Sequence, residues 1–497
     1  MNDERIEERR QFYLNSNLNI SNERKEYSLT LRKKKLFNEF LKRRYTDLND
    51  ENIDLSIYEI NKNTLKINKE YSSLEFQSIK DYILFCENHL SEKETLDNIL
   101  AFIFLLKRIK YKQKDIYFIS KNFSEKLSDI LIKYIDKITL ISETLQFLDI
   151  VSYLNNNENI INYFSSISYI IIYKKIIGKY NNDHIIMSYL INLLGNLVCG
   201  NISVQKLFYE SNIYDSIKDI YLNTLIEDKR HFYFVWFFSV FMNKINKNEF
   251  FKNNFEIFYT TINIFINNIF YEKMTKDCLL GISFICEIED IRIIQYILEK
   301  QNLFDFLLSL PIDYYEIIYY FLYNISKVSF DICSILISNY NLCEFLIKGL
   351  NTQFKCEFLN LLNIYLNSCK KQIKKILFDT GIINNLLSLI QSNDNNIIYS
   401  TLICFNSLLT TCDDDIIYFL YTKKFISLLI NVFFINLEIN ILLIDLIIIL
   451  LRRDDENKIY KKELENFNIK EILNKICFEC KINVVEETIK KILENYF

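Results

Sequence analysis

The chain has 497 residues, half of them apolar, which is enough to bury a large core and excludes a wholly disordered polymer. Its 6 glycines and 1 proline compare with about 35 and about 25 at average usage. That is too few for the turns of a sheet protein or the phosphate loops of a nucleotide-binding α/β fold, so an all-α chain is predicted.

The net charge of −4 is unevenly spread: residues 5–44 carry net +7, whereas residues 45–497 sum to −9. A basic arm therefore precedes a mildly acidic body, the pattern of an interaction tail. The chain opens with charge (Met1-Asn-Asp-Glu-Arg5) in place of an apolar leader, and its 12 cysteines show no disulfide-type spacing. Both point to the reducing cytosol or nucleus. Within the arm, Ser21 to Tyr45 reads as a basic helix with Leu36/Phe40 and Phe37/Leu41 at i+4. It is too short and too charged to fold alone, so residues 1–50 are predicted to be flexible and to become helical on a partner. Residues 51–74 read as a linker.

Residues 75–497 repeat. Each unit ends in a long apolar helix, followed by a polar bend, a short amphipathic helix and another apolar run. One column near the end of the long helix aligns Leu106, Ile150, Asn196, Val240, Phe284, Asn324, Tyr365, Ser407 and Ile449, at spacings of 40 to 46 residues. A helical period in this range is that of HEAT or armadillo repeats, here about nine to ten of them. Such units stack into a superhelix with one continuous core and a concave groove. The most apolar window, Leu428 to Leu451, contains Glu438 and Asp445 and is read as a buried core helix rather than a membrane span.

Signals for chemistry are missing. The three histidines, His89, His184 and His231, are far apart, and Cys477-Phe-Glu-Cys480 has no second pair to complete a metal site. No GxxxxGK[ST] loop occurs. The run Asp413 to Asp415 reads as a solvated bend. No enzyme, metal or cofactor is expected.

Three stretches carry a family resemblance. The first runs from Arg24 and Lys25 through Leu31-Arg32-Lys33-Lys34-Lys35 to Leu41-Lys42-Arg43-Arg44. The second comprises Asn192-Leu-Leu-Gly-Asn196 and Asp277-Cys-Leu-Leu-Gly-Ile-Ser-Phe284. The third is the closing helix, Val484 to Phe497. Together they resemble importin-α, the armadillo-repeat adaptor that links nuclear-localisation signals to importin-β. The resemblance implies that Arg24, Lys25, Leu31, Arg32, Lys33, Lys35, Leu41, Lys42, Arg43 and Arg44 bind importin-β and, with importin-β absent, occupy the chain's own groove.

It also implies a cargo groove in which Asn amides bond the peptide backbone and aromatic walls slot lysine stems. On the aligned columns that groove would use Asn192, Asn196, Trp236, Phe284, Tyr320 and Asn324. Other positions depart from the family ladder: Gln146/Ile150, Leu361/Tyr365 and Ile403/Ser407 lack its Trp/Asn pair, and Gly200 stands where an acid is expected. The implied partners are importin-β, proteins bearing basic nuclear-localisation signals and a nuclear export receptor that recycles the adaptor. The implied location is cytoplasm and nucleus, with no membrane and no direct nucleic acid. Two alternatives stand beside this reading: a divergent scaffold that keeps importin-β binding but serves one dedicated partner, and a helical-repeat nucleic-acid-binding protein. The second alternative requires basic stripes on a body whose net charge is −9.

Overall fold

The computed structural model describes residues 120–497 except 155–157, 200, 226–227, 229, 246–253, 341, 369–375, 455–457 and 480–482. The chain divides into two units, Met1–Lys112 and Gln113–Phe497. The predicted arm, the linker and column residue Leu106 lie outside the described residues. In the second unit the described residues are all-α, with no strand among them.

Nine helices form its central row: α1 (Ile138–Leu154), α2 (His184–Val198), α3 (Arg230–Met242), α4 (Glu272–Cys286), α5 (Tyr315–Ser326), α6 (Lys355–Ser368), α7 (Asn395–Thr411), α8 (Leu437–Arg452) and α9 (Asn483–Tyr496). Each packs against the next. Two shorter helices precede a row helix in every fully described unit. Ile291–Leu298 and Gln301–Ser309 lead into α5, and Asp414–Thr422 and Phe425–Ile430 lead into α8. This three-helix unit stacked on itself is an α-solenoid. Every aligned column residue from Ile150 to Ile449 falls in the C-terminal half of a row helix.

Position in the stack explains the burial. A row helix has neighbours on both sides and its own unit's helices behind it, so little of its circumference meets water. In α3, Phe234, Val235, Trp236, Phe237, Phe238, Val240 and Phe241 are all nearly inaccessible, and the helix shows no polar face. Each such side chain contributes about 1.5–3 kcal/mol by leaving water.

Side-chain hydrogen bonds between units repeat with the same period. Tyr169 donates to the Ser124 carbonyl (3.0 Å), 45 residues away, and Tyr340 to that of Leu298 (3.0 Å), 42 residues away. Tyr214 and Thr261 share a 2.6 Å bond across 47 residues, and Asn268 donates to Tyr221 (2.7 Å), also across 47. A phenol suits this task because its ring fills the inter-helix space while its hydroxyl, able to donate or accept, reaches a partner one unit away. Burial pushes the hydroxyls of Tyr169 and Tyr214 up in pKa, so they remain protonated.

Local signals set the helix ends. Asp183 caps α2, its Oδ1 accepting from the Ile185 and Ile186 amides at 3.0 and 2.9 Å, and Asn436 caps α8 by accepting from Ile439 N at 2.8 Å. Several of the tight turns between the first and second helices of a unit carry one residue with positive φ. Gly381 (φ 79°) takes that place once, but Asn212 (60°), Lys424 (55°) and Asn468 (53°) take the equivalent place in other units. The scarcity of glycine is therefore met by left-handed Asn and Lys, at about 1–2 kcal/mol for a residue with a Cβ.

Two sequence expectations change. The apolar window from Leu428 to Leu451 is two helices, Phe425–Ile430 and α8, because Phe434 turns left-handed (φ 68°) and Asn436 starts a new helix. Asp413 to Asp415 is not a bend alone: Asp413 is the N-cap residue, and Asp414 and Asp415 form the first turn of Asp414–Thr422, where acids favour the helix dipole. Among the described residues no single helix is long and apolar enough to cross a membrane.

Candidate functional site

The six groove candidates fall on four consecutive row helices: Asn192 and Asn196 on α2, Trp236 on α3, Phe284 on α4, and Tyr320 and Asn324 on α5. The repeat thus brings them into one series, but their environments differ.

Asn196 is half-buried and directed backward along the row. Its Nδ2 donates to Asp149 Oδ1 at 2.7 Å and to the Asp149 carbonyl at 3.3 Å. Both amide protons are thereby held by the residue one period earlier, on α1. Asn192, one turn before it, is 1% exposed, and among the described residues neither its Oδ1 nor its Nδ2 has a hydrogen-bond partner. Trp236 is equally buried. A Cβ built on Gly195 would lie 1.7 Å from its Cζ3 and 2.3 Å from its Cη2, so the indole rests on the bare backbone of α2. Phe284 is 2% exposed, beside Leu280 at 3%. The structure places Trp236 and Phe284 as packing residues of the row.

The α4–α5 junction is polar. Tyr320 donates to Glu287 Oε1, at the C-cap of α4. Asn324 donates from Nδ2 to the Ser283 carbonyl at 3.2 Å. Burial first, and then the Glu287 charge, drive the Tyr320 pKa far up, with Asn324 opposing. The phenol keeps its proton and donates a hydrogen bond to the carboxylate. Further along, Ser407 donates to Asn363 Oδ1 at 2.7 Å, and Tyr365, fully buried, shares a 2.7 Å bond with Ser326.

The row therefore alternates packed aromatics with bonds between neighbouring helices in which an amide, phenol or hydroxyl meets a carboxylate or carbonyl. Sequence reading missed Asp149, Glu287 and Asn363. It compared two columns four residues apart, whereas these partners sit one residue before, three after and two before the aligned column. Their signal was an acid or amide adjoining the column, visible only once the helices are in register. The arm candidates from Arg24 to Arg44 lie outside the described residues. Cys477 lies on the helix Ile469–Glu479 while Cys480 lies outside the described residues, and no group of metal-ligating side chains occurs among the residues described.

No protein-family model matches the chain, and no curated protein does. Among solved structures it is similar to the crystal structure of an engineered protein from the Northeast Structural Genomics Consortium. The TM-score is 0.65 and the identity 13%, covering 83% of this chain and 98% of that one. At that identity the likeness shows a shared fold.

Proposed function

We propose that the chain is a nuclear-import adaptor of the importin-α type: its armadillo-like row binds lysine-rich segments of cargo in extended form, and its basic arm binds importin-β. The observation that carries this reading is a charge relationship along a repeating scaffold. The row helices bear Asp149, Asp277, Glu316, Glu357, Glu438 and Asp445. The same polypeptide carries Arg24-Lys25, Arg32 to Lys35 and Lys42 to Arg44. A segment of that charge, tethered to such a row, competes with cargo at roughly millimolar effective concentration. Importin-β removes the arm and opens the row.

Asn196 and Asn324 reach carbonyl and carboxylate acceptors, which are the contacts an incoming peptide backbone or ammonium group would exchange for its own. The test is a pull-down with importin-β using the chain with and without residues 1–50. Retention by the full chain and loss on deletion support the adaptor. Equal capture by both forms removes it.

A second reading is favoured by Trp236 and Phe284, which are buried as packing residues. A row with few open aromatic slots suits one dedicated partner better than many cargoes. Binding of both a monopartite and a bipartite basic peptide decides for the general adaptor; capture of neither, with importin-β binding intact, decides for the scaffold.

A further inference from the structure

Glycine is the poorest helix former after proline, so a chain that uses it so rarely places it inside a helix for a purpose. Three helical glycines show that purpose. A Cβ on Gly195 would lie 1.7 Å from Trp236, one on Gly281 2.2 Å from Phe265, and one on Gly349 2.1 Å from Phe358. In each case the bare backbone is a notch in which an aromatic ring of a neighbouring helix is seated.

Gly178 breaks the pattern. It lies inside the helix Ile167–Tyr180, is exposed, and no atom stands within 4 Å of where its Cβ would be. Nor does it end the helix. A terminating glycine is left-handed, whereas the φ of Gly178 lies outside that range and the C-cap Asn181 is right-handed at φ −54°. Neither packing nor turn geometry within the chain accounts for this glycine. The notch is present and unfilled.

The residues around it define what would fill it. The helix turns Tyr169, Tyr173, Ile176 and Tyr180 inward. On its outer side Ile167, Ile171, Lys174, Lys175 and Gly178 follow at steps of three and four, which places them on one face, and all are exposed. Ile167 is 74% exposed and Ile171 46%. Lys179 is paired with Asp136, but Lys174 and Lys175 have no ionic partner among the described residues. Two uncompensated cations thus stand between bare isoleucines and an open notch.

We infer that this face docks an acidic segment of a partner protein that carries an aromatic residue. The ring seats on the backbone of Gly178, as Trp236, Phe265 and Phe358 do on theirs. Carboxylates on either side of the ring pair with Lys174 and Lys175, and apolar side chains cover Ile167 and Ile171. The helix stands outside the central row, so the inference goes beyond the adaptor reading and does not depend on it. An anionic membrane would meet the same lysines and isoleucines, but it gains nothing from a glycine, and the notch therefore favours a ring.

The experiment is selection of a displayed library of random twelve-residue peptides on the full chain, with depletion against Gly178→Gln, in which a side chain fills the notch. Depletion also removes acidic peptides held by the basic arm, which both chains carry. The enriched peptides are expected to share an aromatic residue flanked by Asp or Glu. They should bind Gly178→Gln, and separately the double variant Lys174→Ala/Lys175→Ala, about tenfold more weakly than wild type, the scale of losing one central contact. Gly178→Ala should melt no lower than wild type and still bind more weakly, a separation that a purely structural glycine would not produce.

Absence of any peptide enriched over the depletion step overturns the surface, as do enriched peptides that lack the aromatic and acidic pattern. Vesicles of phosphatidylserine and phosphatidylcholine that bind wild type and Gly178→Gln alike, but not the double lysine variant, assign the face to a membrane and overturn it too.

Discussion

The indole of Trp236 occupies the space that a side chain at Gly195 would need, with Cζ3 only 1.7 Å from the position of an added Cβ. The contact joins α2 to α3 and explains why a scarce glycine sits inside a helix. Gly195→Ala is expected to destabilise the protein by about 1–3 kcal/mol through overpacking, even though alanine is the better helix former by about 1 kcal/mol. Chemical denaturation measures it. A stabilised variant would mean that the indole moves freely away.

Asn192 offers the opposite case. It is 1% exposed, and both amide atoms lack partners among the described residues, so it carries a desolvation penalty with no return. Asn192→Leu, close in volume, should stabilise the chain by about 1–2 kcal/mol. Should this asparagine serve a bound peptide, the same variant should weaken peptide binding, so melting temperature and affinity are to be read together.

Lys424 holds φ 55° at the turn before Phe425–Ile430, the place taken by Gly381 in the preceding unit. Left-handed backbone costs a residue with a Cβ about 1–2 kcal/mol, and glycine gives back part of that gain as unfolded-state entropy. Lys424→Gly should be stabilising by about 0.5 kcal/mol, visible as a rise in denaturation midpoint without a change in slope.

Arg230 ties two units through charge. It donates to Asp228 from Nε (3.1 Å to Oδ1) and Nη2 (2.7 Å to Oδ2), and from Nη1 to the Asn181 carbonyl at 2.7 Å. Both side chains are about a tenth exposed, at 9% and 11%. Burial pushes the Asp228 carboxyl up, but the hydrogen bonds and charge of Arg230 outweigh it and hold the pKa below the ordinary carboxylate value. For an acid so depressed, the stabilisation is present above its unfolded pKa and is lost as pH falls through the folded one. Arg230→Met should cost about 3 kcal/mol at neutral pH, and the deficit should shrink in acid as Asp228 takes up a proton in both chains. Melting curves between pH 7 and pH 3 measure it.

Much of the fold could be read beforehand because a solenoid writes its period into the chain. The columns from Ile150 to Ile449 land in consecutive row helices, and hydrogen bonds such as Ser407 to Asn363, 44 residues apart, keep the same step. Individual roles were less legible. Trp236 was read as a slot wall by its column, yet its packing depends on Gly195 in the previous unit, a contact that lies between repeats. Glu287 was overlooked because it lies three residues beyond the column, at the C-cap of α4. The break at Phe434 to Asn436 was hidden by apolar residues on both sides, since composition there does not distinguish one helix from two.

The most direct measurement is the affinity of a lysine-rich bipartite peptide for the full chain and for the chain lacking residues 1–50, taken over a range of salt. The account predicts saturable binding that weakens with salt, tightens on removal of the arm, and vanishes when the lysines are replaced by alanine. Equal affinity for the alanine peptide, or no gain on deleting the arm, would contradict it.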